Sequence, residues 1–84
     1  MVVTLYSLST CKRCCLIRQM LQINNVEFTE IIDNQLIMKE KNIENTPTLE
    51  VDGIIIDSYV SILNWLRKNN YYSLDMVYGG IEND

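Results

Sequence analysis

The sequence predicts a small α/β domain whose elements follow the order β-α-β-α-β-β-α. Residues 2–6 are apolar and β-branched, and an amphipathic segment follows from residue 14, so a buried strand precedes a helix. A second apolar run ends at residue 32, and a strand, a helix and a strand within about 30 residues form a right-handed βαβ unit with parallel strands. Asp52-Gly53 lies between two β-branched runs, which is among the strongest hairpin signals.

The first strand and helix have recognisable boundaries. Residues 2–6 show little alternation of apolar and polar side chains, as expected of a central strand that is buried on both faces. Ser9 or Thr10 is expected to cap the helix that follows. The helix is predicted to end at Asn24-Asn25, because asparagine tolerates the left-handed conformation needed there.

The second strand and second helix come next. Residues 26–32 are predicted to form a strand that is less buried than the first, because Glu27 and Glu30 interrupt its apolar pattern. Asp33-Asn34 can cap a short helix over residues 35–41.

The last helix is predicted over residues 59–68, with Asp57 or Ser58 as its cap. We therefore expect one domain over residues 1–68. Residues 69–84 form a C-terminal extension that is expected to be partly packed or flexible.

All three cysteines, Cys11, Cys14 and Cys15, lie within five residues. They cannot join distant segments, so the cluster indicates redox or metal chemistry rather than a disulfide scaffold. Cys11 and Cys14 fall at the predicted start of the first helix, where unpaired amides and the helix dipole stabilise a thiolate. Cys15 is expected to be a small buried hydrophobe, and the alternatives are a backup thiol or a third metal ligand.

The charge is distributed unevenly along the chain. The net charge of −4 argues against nucleic acid as a partner. Residues 1–26 carry Lys12, Arg13 and Arg18 and no acid, and every acidic residue lies from Glu27 onward. We expect the basic residues beside the cysteines to favour the thiolate and to attract acidic surfaces. The chain has no histidine, which excludes histidine catalysis and mixed Cys/His zinc sites.

The chain resembles a small glutaredoxin of the thioredoxin-fold superfamily over residues 2–68. The residues that carry the resemblance are Tyr6-Ser7, Cys11-Lys12-Arg13-Cys14, Val26-Glu27-Phe28 and Thr46-Pro47. It implies a thioredoxin-like fold with a four-stranded mixed sheet in the order 2-1-3-4 and helices on both faces. The third strand would run antiparallel to the first, with helices one and three on one face and helix two on the other.

The resemblance implies a dithiol thiol-disulfide oxidoreductase that reduces protein disulfides, or mixed disulfides with glutathione, and acts in electron transport. Cys11 would be the nucleophile and Cys14 the resolving thiol. Thr46 and Pro47 would bind substrate, with a cis peptide bond between them and the backbone of Thr46 pairing with the cysteinyl part of the substrate. No tightly bound cofactor is implied, and glutathione would be a co-substrate.

Three positions depart from the family pattern. Leu8 stands where members that bind glutathione well carry a lysine, and Lys12-Arg13 replace the usual Pro-Tyr between the cysteines. Asp57-Ser58 replace the Gly-Gly that precedes the last helix and receives the γ-glutamyl carboxylate. An aspartate there would repel that carboxylate or compete for the same amides. We therefore assign Lys12, Arg13, Asp57 and Ser58 as candidate substrate-binding residues.

The expected partners are disulfide-containing proteins, among them ribonucleotide reductase. The reductant would be glutathione or a thioredoxin-reductase-type flavoenzyme, and the protein is expected to be a monomer. A second hypothesis is a module in which the Cys-x-x-Cys binds a metal or a [2Fe-2S] cluster, and a third is a non-catalytic adaptor. Against a copper chaperone, residues 34–42 indicate a helix where that fold has a direct turn between strands.

No apolar run approaches the roughly 20 residues that a membrane span needs, and the N-terminus shows no signal-peptide pattern. We therefore expect a location in the bacterial cytoplasm, or in the host cytoplasm if the protein is phage-encoded, and no membrane partner.

Overall fold

The computed structural model describes residues 1–73, and residues 74–84 of the predicted extension lie outside the described residues. Seven elements follow one another in the predicted order: β1 (Val3–Ser7), α1 (Lys12–Ile23), β2 (Thr29–Ile32), α2 (Gln35–Glu40), β3 (Thr48–Val51), β4 (Ile54–Ile56) and α3 (Tyr59–Lys68). None of the helices described here has the length and apolar character required to cross a bilayer.

The four strands form one sheet in the order β2-β1-β3-β4, which confirms the predicted fold class. β1 runs parallel to β2 and antiparallel to β3, and β3 pairs with β4 in an antiparallel hairpin. Leu5 lies opposite Glu30 on one side and opposite Leu49 on the other. β1 is therefore the strand whose position fixes both neighbours.

The two faces of the sheet are covered by different helices, because successive residues of a strand point to opposite faces. Leu5 belongs to the main core, which packs beneath α1 and α3. Tyr6 belongs to a smaller cluster with Met38 of α2 and Ile43. The core residues that the two main-core helices contribute are Ile17, Met20, Leu21, Ile62, Leu63 and Leu66.

β2 begins at Thr29, three residues later than the predicted start at residue 26. Val26 is buried, as a strand residue would be, but its N–H donates to the carbonyl of Leu21 at 2.9 Å. Val26 is thus tied to the end of α1 and not to the sheet. The preceding turn uses Asn25 at a φ of 56°, as predicted for an asparagine in this place.

Residues 71–73 lie against the domain. The rings of Tyr71 and Trp65 approach to 5.6 Å between centroids. The Asn24 side chain donates to the carbonyl of Tyr72 and accepts its N–H, both at 2.7 Å. The residue that ends α1 therefore also fixes the chain that follows α3.

The predicted hairpin turn at Asp52-Gly53 is present, with φ values of 50° and 85°. An L-residue in this conformation is strained even though a Cβ on Gly53 would meet no atom within 4 Å.

Gly53→Ala is therefore expected to lower the free energy of unfolding by roughly 1–2 kcal/mol, measured by urea denaturation. Asn25→Gly is the converse control, because glycine adopts its positive φ without strain and should leave stability unchanged or higher. A Gly53→Ala protein with the parent's free energy of unfolding would contradict this account of the turn.

Candidate active site

Cys11 and Cys14 are joined by a disulfide at the N-terminus of α1, with their Cα atoms 5.3 Å apart. Cys11 is half-buried, whereas Cys14 has no exposed surface. Only the sulfur of the first cysteine therefore lies where a second molecule can approach it. The structure brings together the two residues that the sequence identified as the reacting pair.

The prediction that Ser9 or Thr10 caps α1 is wrong, because the cap is Cys11 itself. Its backbone is extended, and its Sγ accepts the N–H of Cys14 at 3.1 Å. Ser9 and Thr10 lie in a turn that is closed by the Cys11 N–H donating to the carbonyl of Leu8 at 3.1 Å. The helix starts after this turn, so the Cys11 sulfur rather than a hydroxyl accepts a hydrogen bond from a first-turn amide.

The expectation that Cys15 is buried is also wrong. Cys15 is half-exposed, and its Sγ accepts a hydrogen bond from Gln19 Nε2 at 3.6 Å. The buried stripe of α1 runs through Cys14, Ile17 and Leu21, which share one helical face. A residue one position beyond Cys14 is rotated by about 100° around the axis and leaves that face. The core position is therefore held by Cys14.

Thr46 and Pro47 lie beside the end of β1. Tyr6 pairs with Thr48, the first residue of β3, so Thr46 and Pro47 immediately precede the last observed pair between β1 and β3. The Thr46–Pro47 peptide bond is cis, and Pro47 is buried while Thr46 is half-buried. The segment that leads to Cys11 thus starts beside the Thr46-Pro47 segment.

A cleft of about 460 Å³ opens between this segment and α2. Leu8 and Thr46 line it together, which places it on the side of the site where β1 ends. The remaining lining residues are Gln35, Met38, Lys39, Asn42, Ile43 and Glu44. Its floor is largely apolar, and Lys39 and Glu44 supply one charge of each sign.

The side of the site towards α3 carries charge. Lys12 and Arg13 are both exposed, and the Arg13 guanidinium lies over the Tyr59 ring, 5.0 Å from its centroid. This is a cation–π distance. Asp57 is exposed, and Ser58 caps α3 by accepting the N–H of Ser61 at 3.1 Å. Of the predicted substrate-binding residues, Arg13 is therefore brought to the segment that contains Asp57 and Ser58.

The sequence did not reveal the ion pair between Arg18 and Glu30. Arg18 donates two hydrogen bonds of 2.6 Å to the Glu30 carboxylate, which also accepts the Ser7 hydroxyl at 2.6 Å. The Glu30 side chain is only 13% exposed. Hydrogen bonding to Arg18 lowers the pKa of Glu30 below its ordinary value, even though burial opposes the shift. The pair fastens α1 to β2 one turn after Cys14.

The opposite face of the sheet has its own polar cluster. The buried Tyr6 hydroxyl donates to Glu50 at 2.6 Å, and Lys41 contacts the same carboxylate at 3.1 Å. Burial, followed by the bond to Glu50, raises the pKa of Tyr6. Hydrogen bonds from Tyr6 and Lys41 lower the pKa of Glu50. The cluster joins β1 to β3 beneath α2.

No group of three or more cysteine, aspartate or glutamate side chains within residues 1–73 could hold an ion.

Neither a protein-family model nor a curated protein sequence matches this chain. Several solved structures, in contrast, superpose on it. The thioredoxin-like protein BC3987 superposes on 76% of this chain and 97% of its own, with a TM-score of 0.63 and 21% identity. Glutaredoxin 1 from Francisella tularensis covers 80% of this chain and 93% of its own, with a TM-score of 0.66 and 19% identity.

An epsilon-class glutathione S-transferase from the housefly Musca domestica also superposes, with a TM-score of 0.65 and 21% identity. The match covers 80% of this chain and 34% of the transferase. Together these likenesses establish the thioredoxin-like fold.

Glu30→Gln tests the ion pair, because it keeps the shape of the side chain and removes its charge. We expect a loss of about 1–3 kcal/mol in the free energy of unfolding at pH 7, measured by urea denaturation of the oxidised protein. The folded-state pKa of Glu30 is lowered, so its contribution is present above the unfolded value of about 4.3 and disappears as the pH falls through the folded value. The difference between the two proteins should therefore shrink below about pH 4.

The matched control for this variant is Glu27→Gln, which makes the same change in charge at an exposed position two residues before β2. It should lie within about 0.5 kcal/mol of the parent protein at every pH. Equal losses for the two variants would show that the pair with Arg18 contributes nothing specific.

Proposed function

We propose that this protein is a dithiol thiol-disulfide oxidoreductase of the glutaredoxin type. The observation that carries the proposal is the asymmetric pair at the start of α1, with an accessible Cys11 bonded to a fully buried Cys14. The thioredoxin-like fold supports it. The structure describes the oxidised form of the pair, which is one of the two states that such a protein alternates between.

In the reduced protein, the Cys11 thiolate attacks a substrate disulfide. A bond forms between Cys11 Sγ and one substrate sulfur, the substrate S–S bond breaks, and the second sulfur leaves as a thiolate. Cys14 then loses its proton and attacks Cys11 Sγ, which releases the first substrate sulfur and forms the Cys11–Cys14 disulfide. Two electrons pass from the protein dithiol to the substrate.

The surroundings of Cys11 suit the attacking role. The N–H of Cys14 already points at Cys11 Sγ in the oxidised state, and the same amide would stabilise a thiolate at that position. Lys12 and Arg13 add positive charge on the exposed side. Cys14 is shielded from solvent, so it reacts only with Cys11 Sγ, once that sulfur forms the mixed disulfide with substrate.

Thr46 and Pro47 fit a substrate-binding role. Proline has no N–H, so Pro47 offers no backbone donor that could compete for the substrate. In our proposal the backbone of Thr46 pairs with an extended substrate segment. The adjacent cleft at Leu8 gives that segment a surface to lie on.

The proposed substrates are protein disulfides, with ribonucleotide reductase as one candidate, and the proposed setting is the cytoplasm of a bacterium or of a phage-infected host. We propose that the protein acts as a monomer without a tightly bound cofactor. The electron donor is glutathione or a thioredoxin-reductase-type flavoenzyme. The uncharged Leu8 and the carboxylate of Asp57 both favour the flavoenzyme.

Single cysteine substitutions test the proposal. Cys11→Ser should reduce the rate of insulin disulfide reduction with dithiothreitol to the uncatalysed background, because it removes the attacking sulfur. Cys14→Ser should accumulate a mixed disulfide between Cys11 and substrate, seen as a mass increase that dithiothreitol reverses. Cys15→Ser is the matched control and should retain the parent rate. A Cys11→Ser protein with undiminished activity would overturn the assigned role.

The electron donor is identified by a paired NADPH-coupled assay. One arm supplies glutathione and glutathione reductase, and the other supplies thioredoxin reductase. We expect the higher rate in the second arm, and Asp57→Gly should raise the rate in the first arm alone because it removes a repelling carboxylate. A glutathione arm that is faster in the parent protein and unaffected by Asp57→Gly would contradict this assignment.

A further inference from the structure

The feature that points beyond this proposal is the fixed position of Arg13. An arginine on the exposed side of a helix is ordinarily mobile, and holding it still costs side-chain entropy. Here the guanidinium is held 5.0 Å above the Tyr59 ring, which belongs to a different helix. A positive charge is therefore kept at the junction of α1 and α3, two residues from the attacking sulfur in sequence.

One of the amides at the start of α3 is already satisfied from within the chain. The Ser58 side chain accepts the N–H of Ser61 at 3.1 Å, and the two hydroxyls are 2.8 Å apart. The N–H of Ser61 is thus occupied from within the chain. Asp57 adds a carboxylate immediately before the cap.

The other cations of the domain are differently placed. Arg18 and Lys41 are each paired with a glutamate. Within residues 1–73, Lys12 and Arg13, which lie between Cys11 and Cys14 in the sequence, take part in no ion pair. The attraction that they exert on a carboxylate is therefore available to a second molecule.

We propose that Arg13 is a specificity-determining residue that selects disulfides whose reacting cysteine has an aspartate or glutamate beside it. Tyr59 is its positioning residue. The inference rests on the proposed disulfide reduction and names its preferred substrate: an acidic polypeptide segment. A carboxylate next to the attacked sulfur meets a guanidinium that is already ordered, so binding loses less side-chain entropy than it would at a mobile arginine.

The test uses three synthetic peptide disulfides that differ only at the residues flanking the cysteine, which are glutamate, glutamine or lysine. The reduced, desalted protein is mixed with each peptide, so no electron donor is needed. Each single turnover converts one peptide disulfide into two peptide thiols and leaves the Cys11–Cys14 disulfide. Second-order rates are measured by chromatography at low and at high ionic strength.

The parent protein is expected to reduce the glutamate peptide about 2- to 5-fold faster than the glutamine peptide, and the lysine peptide more slowly still. This preference should weaken in high salt, because exposed charges are screened. Arg13→Gln should remove most of it. The measured quantity is the ratio between peptides and not the absolute rate, because losing a charge near Cys11 also changes thiolate reactivity equally for all three.

Two matched comparisons separate recognition from folding. Tyr59→Phe keeps the ring and should keep the ratio, whereas Tyr59→Leu removes the ring and should lower the ratio. Because Tyr59 also packs against the main core, thermal denaturation is measured to establish that Tyr59→Leu is folded at the assay temperature. Lys68→Gln makes the same change in net charge as Arg13→Gln, but at the exposed C-terminal end of α3, and should retain the parent ratio.

Equal rates for the three peptides, or an unchanged ratio in Arg13→Gln, would overturn this inference while leaving disulfide reduction intact. If the ratio of peptide rates falls as much in Lys68→Gln as in Arg13→Gln, the preference comes from net charge. That result would also overturn the inference. A parent protein that reduces no peptide and no insulin would instead overturn the proposed function, and the inference with it.

Discussion

The placement of the site depends on β1 being hydrogen-bonded along both edges. Its register with β2 sets Leu5 beside Glu30, and its register with β3 carries Thr46-Pro47 to its C-terminal end. The same end leads through one turn into Cys11. A strand paired on both sides therefore determines which loop lies near the end of β1 and which carboxylate is available to Arg18 of α1.

The cap of α1 is Cys11, the same residue to which we assign the attacking sulfur. Side-chain oxygens ordinarily satisfy the first amides of a helix, and the sequence offered two of them in Ser9 and Thr10. The structure leaves both in the preceding turn and gives the amide of Cys14 to Cys11 Sγ. Because sulfur is a weak acceptor when neutral and a strong one when ionised, this arrangement stabilises the helix end most when Cys11 is a thiolate.

Local sequence signals were sufficient to predict the fold, because Asp52-Gly53 marked the hairpin and the order of strands and helices indicated the sheet order 2-1-3-4. They were not sufficient to predict the burial of Cys15. Which of two adjacent cysteines faces the core depends on the rotation of α1, and one residue changes it by about 100°. The pairing of Arg18 with Glu30 was inaccessible for a related reason, since it requires the register between β1 and β2 as well as the orientation of α1.

The contact between Arg13 and Tyr59 links the N-terminal turns of α1 and α3. These two helix ends differ in the groups that their backbone amides bind. The amide of Cys14 at α1 is directed at Cys11 Sγ, whereas the amide of Ser61 at α3 is bonded to Ser58, and Asp57 precedes that cap. In our proposal, a ligand that brings its own carboxylate is attracted by the Arg13 guanidinium. That guanidinium is held over the Tyr59 ring on the exposed side of the site, where an acidic polypeptide segment can reach it.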